Sequence, residues 1–192
     1  AANGVTDKGF KDDAGFDQQK LSLKHSWTGS ELSTDTHLAL VNLNQETAGY
    51  IKVKDSYKDS AAWKANPNPE AFRDGQAMRL SSRISGATSA GNEWQITPYV
   101  RKSEMTFLQH YLPGQPQEKN GQTSAGVQSS YQTSLATDTT LWLGTDVEWA
   151  SMWVEEFQAN ALGVANSVRF QGQHYDFEVD SQQIALFANL EW

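Results

Sequence analysis

Apolar and polar residues alternate along most of this chain. Leu21, Leu23 and Trp27 hold odd positions, while Lys20, Ser22, Lys24 and Ser26 hold the even ones. Met78, Leu80 and Ile84 alternate with Arg79, Ser81, Arg83 and Ser85. The same rhythm runs through Trp94, Ile96 and Val100, then Ala125, Val127 and Tyr131, then Leu141, Leu143, Val147 and Trp149. Ile184, Leu186, Ala188, Leu190 and Trp192 form the last stripe. A period of two is the mark of a strand with one apolar and one polar face. It predicts strands over 17–28, 35–46, 76–86, 93–105, 122–134, 139–152 and 182–192, with a weaker one at Tyr175–Val179. The main strands run about 10 to 14 residues, against about 5 or 6 in an ordinary soluble sheet.

The connections alternate as well. Gly29–Thr34, Ala87–Asn92 and Leu135–Asp138 are short and carry the turn residues Gly, Ser, Asn and Asp. Thr47–Gly75, Thr106–Gly121 and Trp153–Ser181 are long and hold Pro67, Pro69, Pro113 and Pro116. Structureless loops of that length are uncommon in compact soluble domains. Short turns on one side and long loops on the other are the habit of outer-membrane barrels. Trp27, Trp94 and Tyr131 each lie beside a short turn, as an interfacial aromatic girdle requires. The fold class is therefore all-β, with antiparallel up-and-down hairpins forming a segment of an outer-membrane β-barrel. Two features sit uneasily on the apolar face: the polar Ser82, Ser129 and Thr145, and Pro98, which removes a ladder donor.

Composition narrows the functional classes. The formal net charge of -8 disfavours a nucleic-acid partner, which needs clustered cations. Seven Trp, eight Phe and six Tyr in a chain of mean hydropathy -0.61 suit half-greasy strands better than helices. The absence of cysteine removes disulfides, thiolate metal sites and cysteine nucleophiles. Asp146 and Glu148 share a strand face, which in a barrel lines the lumen. Glu155 and Glu156 read as solvated surface at the start of a loop. His25 and His37 flank one short turn and read as ordinary strand residues, not a metal site. No phosphate-cradling loop, HExxH pair or GxSxG elbow is present. The reading is of a protein that is not an enzyme and uses no metal or cofactor.

Several segments resemble the barrel of TonB-dependent outer-membrane receptors. They are Gly15–Leu21, Asn42–Tyr50, Phe72–Gly75, Tyr99–Met105 and, most clearly, His110-Tyr111-Leu112-Pro113-Gly114-Gln115-Pro116 leading into Asn120–Gly126. Their order and spacing carry the resemblance over most of the chain. It implies a transport receptor in the outer membrane of a Gram-negative bacterium, in contact with the lipid bilayer. Such a receptor takes up a scarce solute such as an iron chelate and is energised by the TonB complex through its plug. The loop residues His110, Tyr111, His174 and Tyr175 are the ligand-contact candidates.

The size departs from the family. A barrel of about twenty-two strands would leave the 192 residues about nine per strand. No plug and no TonB box is recognisable. Residues 1–192 are therefore expected to be one internal slice of a receptor barrel. In isolation it should self-associate through its sheet edges. An alternative stays open. The ending Leu186, Ala188, Leu190, Trp192 also matches complete outer-membrane barrels, and Tyr175–Val179 would bring the strand count to eight. That describes a small closed eight-stranded barrel, in the membrane or soluble, binding a small apolar ligand.

Overall fold

A computed structural model describes residues 1–161 and 169–192. Eight strands form one antiparallel sheet in strict chain order. They are β1 (Ala2–Asp7), β2 (Phe16–Thr28), β3 (Leu32–Glu46), β4 (Phe72–Ala87), β5 (Glu93–Leu108), β6 (Gln117–Ala136), β7 (Thr139–Gln158) and β8 (Gly172–Glu191). A 3₁₀ turn at Ser56–Lys58 and a five-residue helix α1 (Ser60–Lys64) break the β3–β4 connection. No described helix is long and apolar enough to cross a membrane.

The strands outrun the alternation. β5 reaches Leu108, β6 starts at Gln117, β7 reaches Gln158 and β8 starts at Gly172. Backbone pairing continues where the side chains have stopped alternating, because ladder hydrogen bonds need no apolar face. The predicted long loops shrink accordingly to 109–116 and 159–171. Of the predicted 153–181 loop, residues 162–168 lie outside the described residues. Tyr175–Val179 and 182–192 belong to the single strand β8, not to two. β1 lies where no strand was predicted, and pairs in register with β2 from Ala2 opposite Leu21 to Asp7 opposite Phe16.

Among the described residues β1 and β8 do not pair, so the sheet is open. This corrects the small closed eight-stranded barrel. Nor do the apolar faces meet in an interior core, as a soluble apolar-ligand binder would need. Among the described residues, Ala71 and Tyr99 are the buried hydrophobic ones.

Register fixes the two faces, since residues directly opposite in a ladder point the same way. Leu23, Leu38, Leu80, Val100, Ala125 and Trp149 stand opposite one another across six strands. Toward the short turns the row Leu32, Gly86, Trp94, Tyr131, Leu143 and Ala188 lies on the same face. Leu23, Leu80, Ile96, Val100, Val127, Leu143, Ile184 and Leu186 are all exposed on it. Toward the long loops the band gives way to Lys102, Glu104, Asp180 and Glu178.

The uneasy residues are accommodated. Ser82 hydrogen-bonds Thr36 at 2.9 Å. Ser129 and Thr145 face each other across the β6–β7 ladder. Pairing between β4 and β5 skips from Ser81–Tyr99 to Ile84–Ile96. Pro98 sits in that gap, where its missing N–H leaves the ladder open.

Candidate functional site

The long-loop ends of β5 to β8 hold the densest polar cluster. Glu156, near the end of β7, is 2% exposed. Its carboxylate contacts Arg169. The ring Nδ1 of His174 lies 2.7 Å from Glu156 Oε1, and the Tyr175 hydroxyl lies 3.0 Å from Glu156 Oε2. The same hydroxyl is 3.0 Å from Glu118 Oε2, so one phenol proton serves two carboxylates. Glu118 also accepts from Gln109 at 2.7 Å and from Asn120 at 2.9 Å. The Nε2 of His174 donates to the Phe170 carbonyl at 2.7 Å, since a carbonyl can only accept.

Local structure explains the gathering. Glu118, Glu156 and Tyr175 stand opposite one another in β6, β7 and β8. The register slips after Glu156, and such a bulge re-aims a side chain; His174 is the extra residue there. These strand ends project past the apolar band, beyond the charged Glu155 and Asp176 of the other face.

Electrostatics there are set by burial and pairing. Burial alone would raise the Glu156 pKa. The hydrogen bonds from His174 and Tyr175 and the positive charge of Arg169 outweigh it and hold the carboxyl below its usual range. Burial and the two nearby carboxylates push the Tyr175 phenol upward.

The other loops join this rim. Gln115 donates to Glu70 at 2.6 Å, tying the β5–β6 connection to the β3–β4 connection. Its own backbone N–H, with help from Asn68, Gln115 and the nearby His110, lowers the Glu70 pKa. Lys11 reaches the Gly49 carbonyl at 2.7 Å, and the Asp12 N–H reaches the Lys64 carbonyl at 2.8 Å.

Of the four sequence candidates, the fold brings His174 and Tyr175 together in this cluster. His110 and Tyr111 lie in the β5–β6 connection and pack edge-on, ring centroids 5.6 Å apart. Tyr111 is 66% exposed, and the buried Nδ1 of His110 has no partner among the described residues. Sequence reasoning missed Gln109, Glu118 and Arg169. It also read Glu156 as solvated surface, which is corrected here: β8 and the segment before it cover its carboxylate. The signal available was Glu118 and Glu156 lying at matching ends of neighbouring strands.

Elsewhere the candidates separate. His25 pairs with Thr36 and His37 with Lys24, so the two imidazoles point to opposite faces. Among the described residues no cluster could hold a metal ion. Asp146 and Glu148 do share the polar face, each with its own donors. Gln128 reaches Asp146 at 2.9 Å; Tyr99 reaches Glu148 at 2.8 Å, joined by Arg101.

No family model and no curated protein matches the sequence. Among solved structures, the chain resembles the ferric citrate transporter FecA in its unliganded form, with a TM-score of 0.67 and 9% identity. The match covers 94% of this chain and 28% of that one. At that identity the likeness establishes the fold: an up-and-down sheet like part of a transporter barrel.

Proposed function

We propose that residues 1–192 are one segment of the barrel of a TonB-dependent outer-membrane receptor, in a longer parent that holds the plug and the remaining strands. Its activity is transport, not catalysis. The apolar face meets lipid, the polar face lines the aqueous interior, and the rim loops help capture a scarce solute such as an iron chelate. The TonB complex acts through the plug.

The observation that carries this reading is the continuous band of exposed Leu, Ile, Val and Trp across one face, while the exposed Met152, Phe177, Val179 and Phe187 of the other face lie on β7 and β8. Burying apolar area stabilises by about 25 cal/mol per Å², so water is the wrong solvent for that face. The long-loop rim, the resemblance of the loop segments and the transporter-like fold support the same reading.

The test uses the full-length parent in intact cells. Single cysteines at Tyr111 and at Ser89 are challenged with a membrane-impermeant maleimide. Labelling of the first in intact cells, and of the second only after permeabilisation, supports the topology. Iron uptake from chelates should then fall on deletion of the gene. Recovery of the parent in the soluble cytosolic fraction would defeat the proposal.

A further inference from the structure

Charge on the polar face is divided by strand. On β2 to β5 this face carries Lys20, Lys24, Arg73, Arg79, Arg83 and Arg101, against the carboxylates Asp35 and Glu93. On β6 to β8 it carries Glu118, Asp146, Glu148, Glu156 and Glu191, with no Lys or Arg at its described strand positions. A chain of net charge -8 thus presents a cationic half-wall.

The centre of that half-wall is a like-charge pair. Arg79 and Arg101 stand directly opposite in the β4–β5 ladder, an arrangement that is destabilising in itself. The other arginines of this face have partners. Arg83 meets Asp35 at 2.5 Å, Arg101 meets Glu148 and the Ser124 hydroxyl, and Arg73 lies over the Phe107 ring at 5.7 Å. Arg79 is exposed and has no hydrogen-bond or ion-pair partner among the described residues. Beside the pair lies a hollow of ≈ 340 Å³, walled by Ala39, Val41, Ala77, Ser103 and Gln122 and also bordered by Met78 and Lys102.

We propose that Arg79 and Arg101 form a binding site for a carboxylate-bearing solute inside the barrel wall. Planar guanidiniums suit carboxylates because two N–H groups match two oxygens. Arg101, held toward β6 and β7 by Glu148 and Ser124, leaves the hollow open on the Arg79 side. An entering carboxylate supplies the acceptor that Arg79 lacks and relieves the repulsion between the pair. The neighbouring Leu80 and Val100 belong to the lipid band, so the site lies within the depth of the membrane. It would be met by a solute that has already passed the rim. This inference rests on the polar face lining the aqueous interior, as proposed above.

The test is equilibrium dialysis of radiolabelled malonate against the purified full-length parent in detergent at low salt. Saturable binding is expected in the wild type. It should weaken by about tenfold or more in Arg79→Gln, the scale of a lost charge-assisted contact, and less in Arg79→Lys. Lys119→Gln, on the opposite face and away from the hollow, should leave it unchanged. No saturable binding, or equal binding by wild type and a folded Arg79→Gln, overturns the inference. The maleimide topology is measured on the same preparations. An intact topology without malonate binding refutes the site alone, whereas a failed topology refutes the receptor reading.

Discussion

The Tyr99 hydroxyl on β5 donates to Glu148 on β7 at 2.8 Å, passing over β6 at Gly126. The bridge exists because Gly126 has no side chain: a Cβ there would lie 2.4 Å from the Tyr99 oxygen and 2.7 Å from a backbone carbonyl oxygen. Three strands are thereby locked by one phenol, the largest hydrophobic residue buried in the sheet.

Gly126→Ala is therefore expected to push the Tyr99 ring aside, costing about 1 to 3 kcal/mol as other overpacked sites do. In a Tyr99→Ala background the added methyl should cost much less. A double-mutant cycle on the heat-denaturation midpoint of the detergent-solubilised parent measures that coupling. Additive effects would mean that Tyr99 does not lie over Gly126.

The two faces should respond oppositely to charge. Val100→Lys places a cation in the apolar band and is expected to destabilise the inserted parent by about 2 to 4 kcal/mol if near the bilayer midplane. Gln183→Lys, exposed on the polar face, should change stability by no more than about 0.5 kcal/mol. Urea titrations in lipid vesicles distinguish the two. Equal losses would contradict the assignment of faces.

Glu156 holds its charge to lower pH in the fold than in the unfolded chain. Its stabilising contribution is complete above the ordinary glutamate range, about pH 4.3, and is lost as pH falls through the depressed folded value. Hydrogen exchange at the Arg169, His174 and Tyr175 amides should therefore stay slow at the ordinary glutamate pKa and accelerate only below it. Glu156→Gln should remove that step and leave these amides less protected at neutral pH. A step at or above the ordinary value would show that the Arg169, His174 and Tyr175 contacts do not hold the carboxylate.

Among the described residues, the outer edge of β8 has no partner strand along its 20 residues. Open edges pair with other chains. Residues 1–192 produced alone should need detergent and sediment as oligomers, and a monodisperse monomer in plain buffer would contradict this.

The faces were legible in the sequence because register and alternation share a period of two. Leu80 and Ile96, for example, could be placed before any pairing was known. Pro98 likewise announced the break in the β4–β5 ladder. β1 was not legible, because Ala2-Asn3-Gly4-Val5-Thr6-Asp7 carries no apolar stripe and is a strand through pairing with β2. The upper ends of β5 to β8 were hidden for the same reason. Glu156 was misread because its surroundings come from Arg169, His174 and Tyr175, whose approach depends on a bulge that no local pattern encodes. Arg79 was visible as a polar-face residue, but its opposition to Arg101 needed the register.

On the receptor reading, one face of this sheet meets lipid and the other water. Spin labels at Leu80→Cys and Ser81→Cys in the reconstituted parent test it most directly, by accessibility to oxygen and to a water-soluble nickel chelate. Oxygen-dominated relaxation is expected at 80 and chelate-dominated relaxation at 81, alternating likewise at Val127 and Gln128. High chelate accessibility at both 80 and 127 would contradict it.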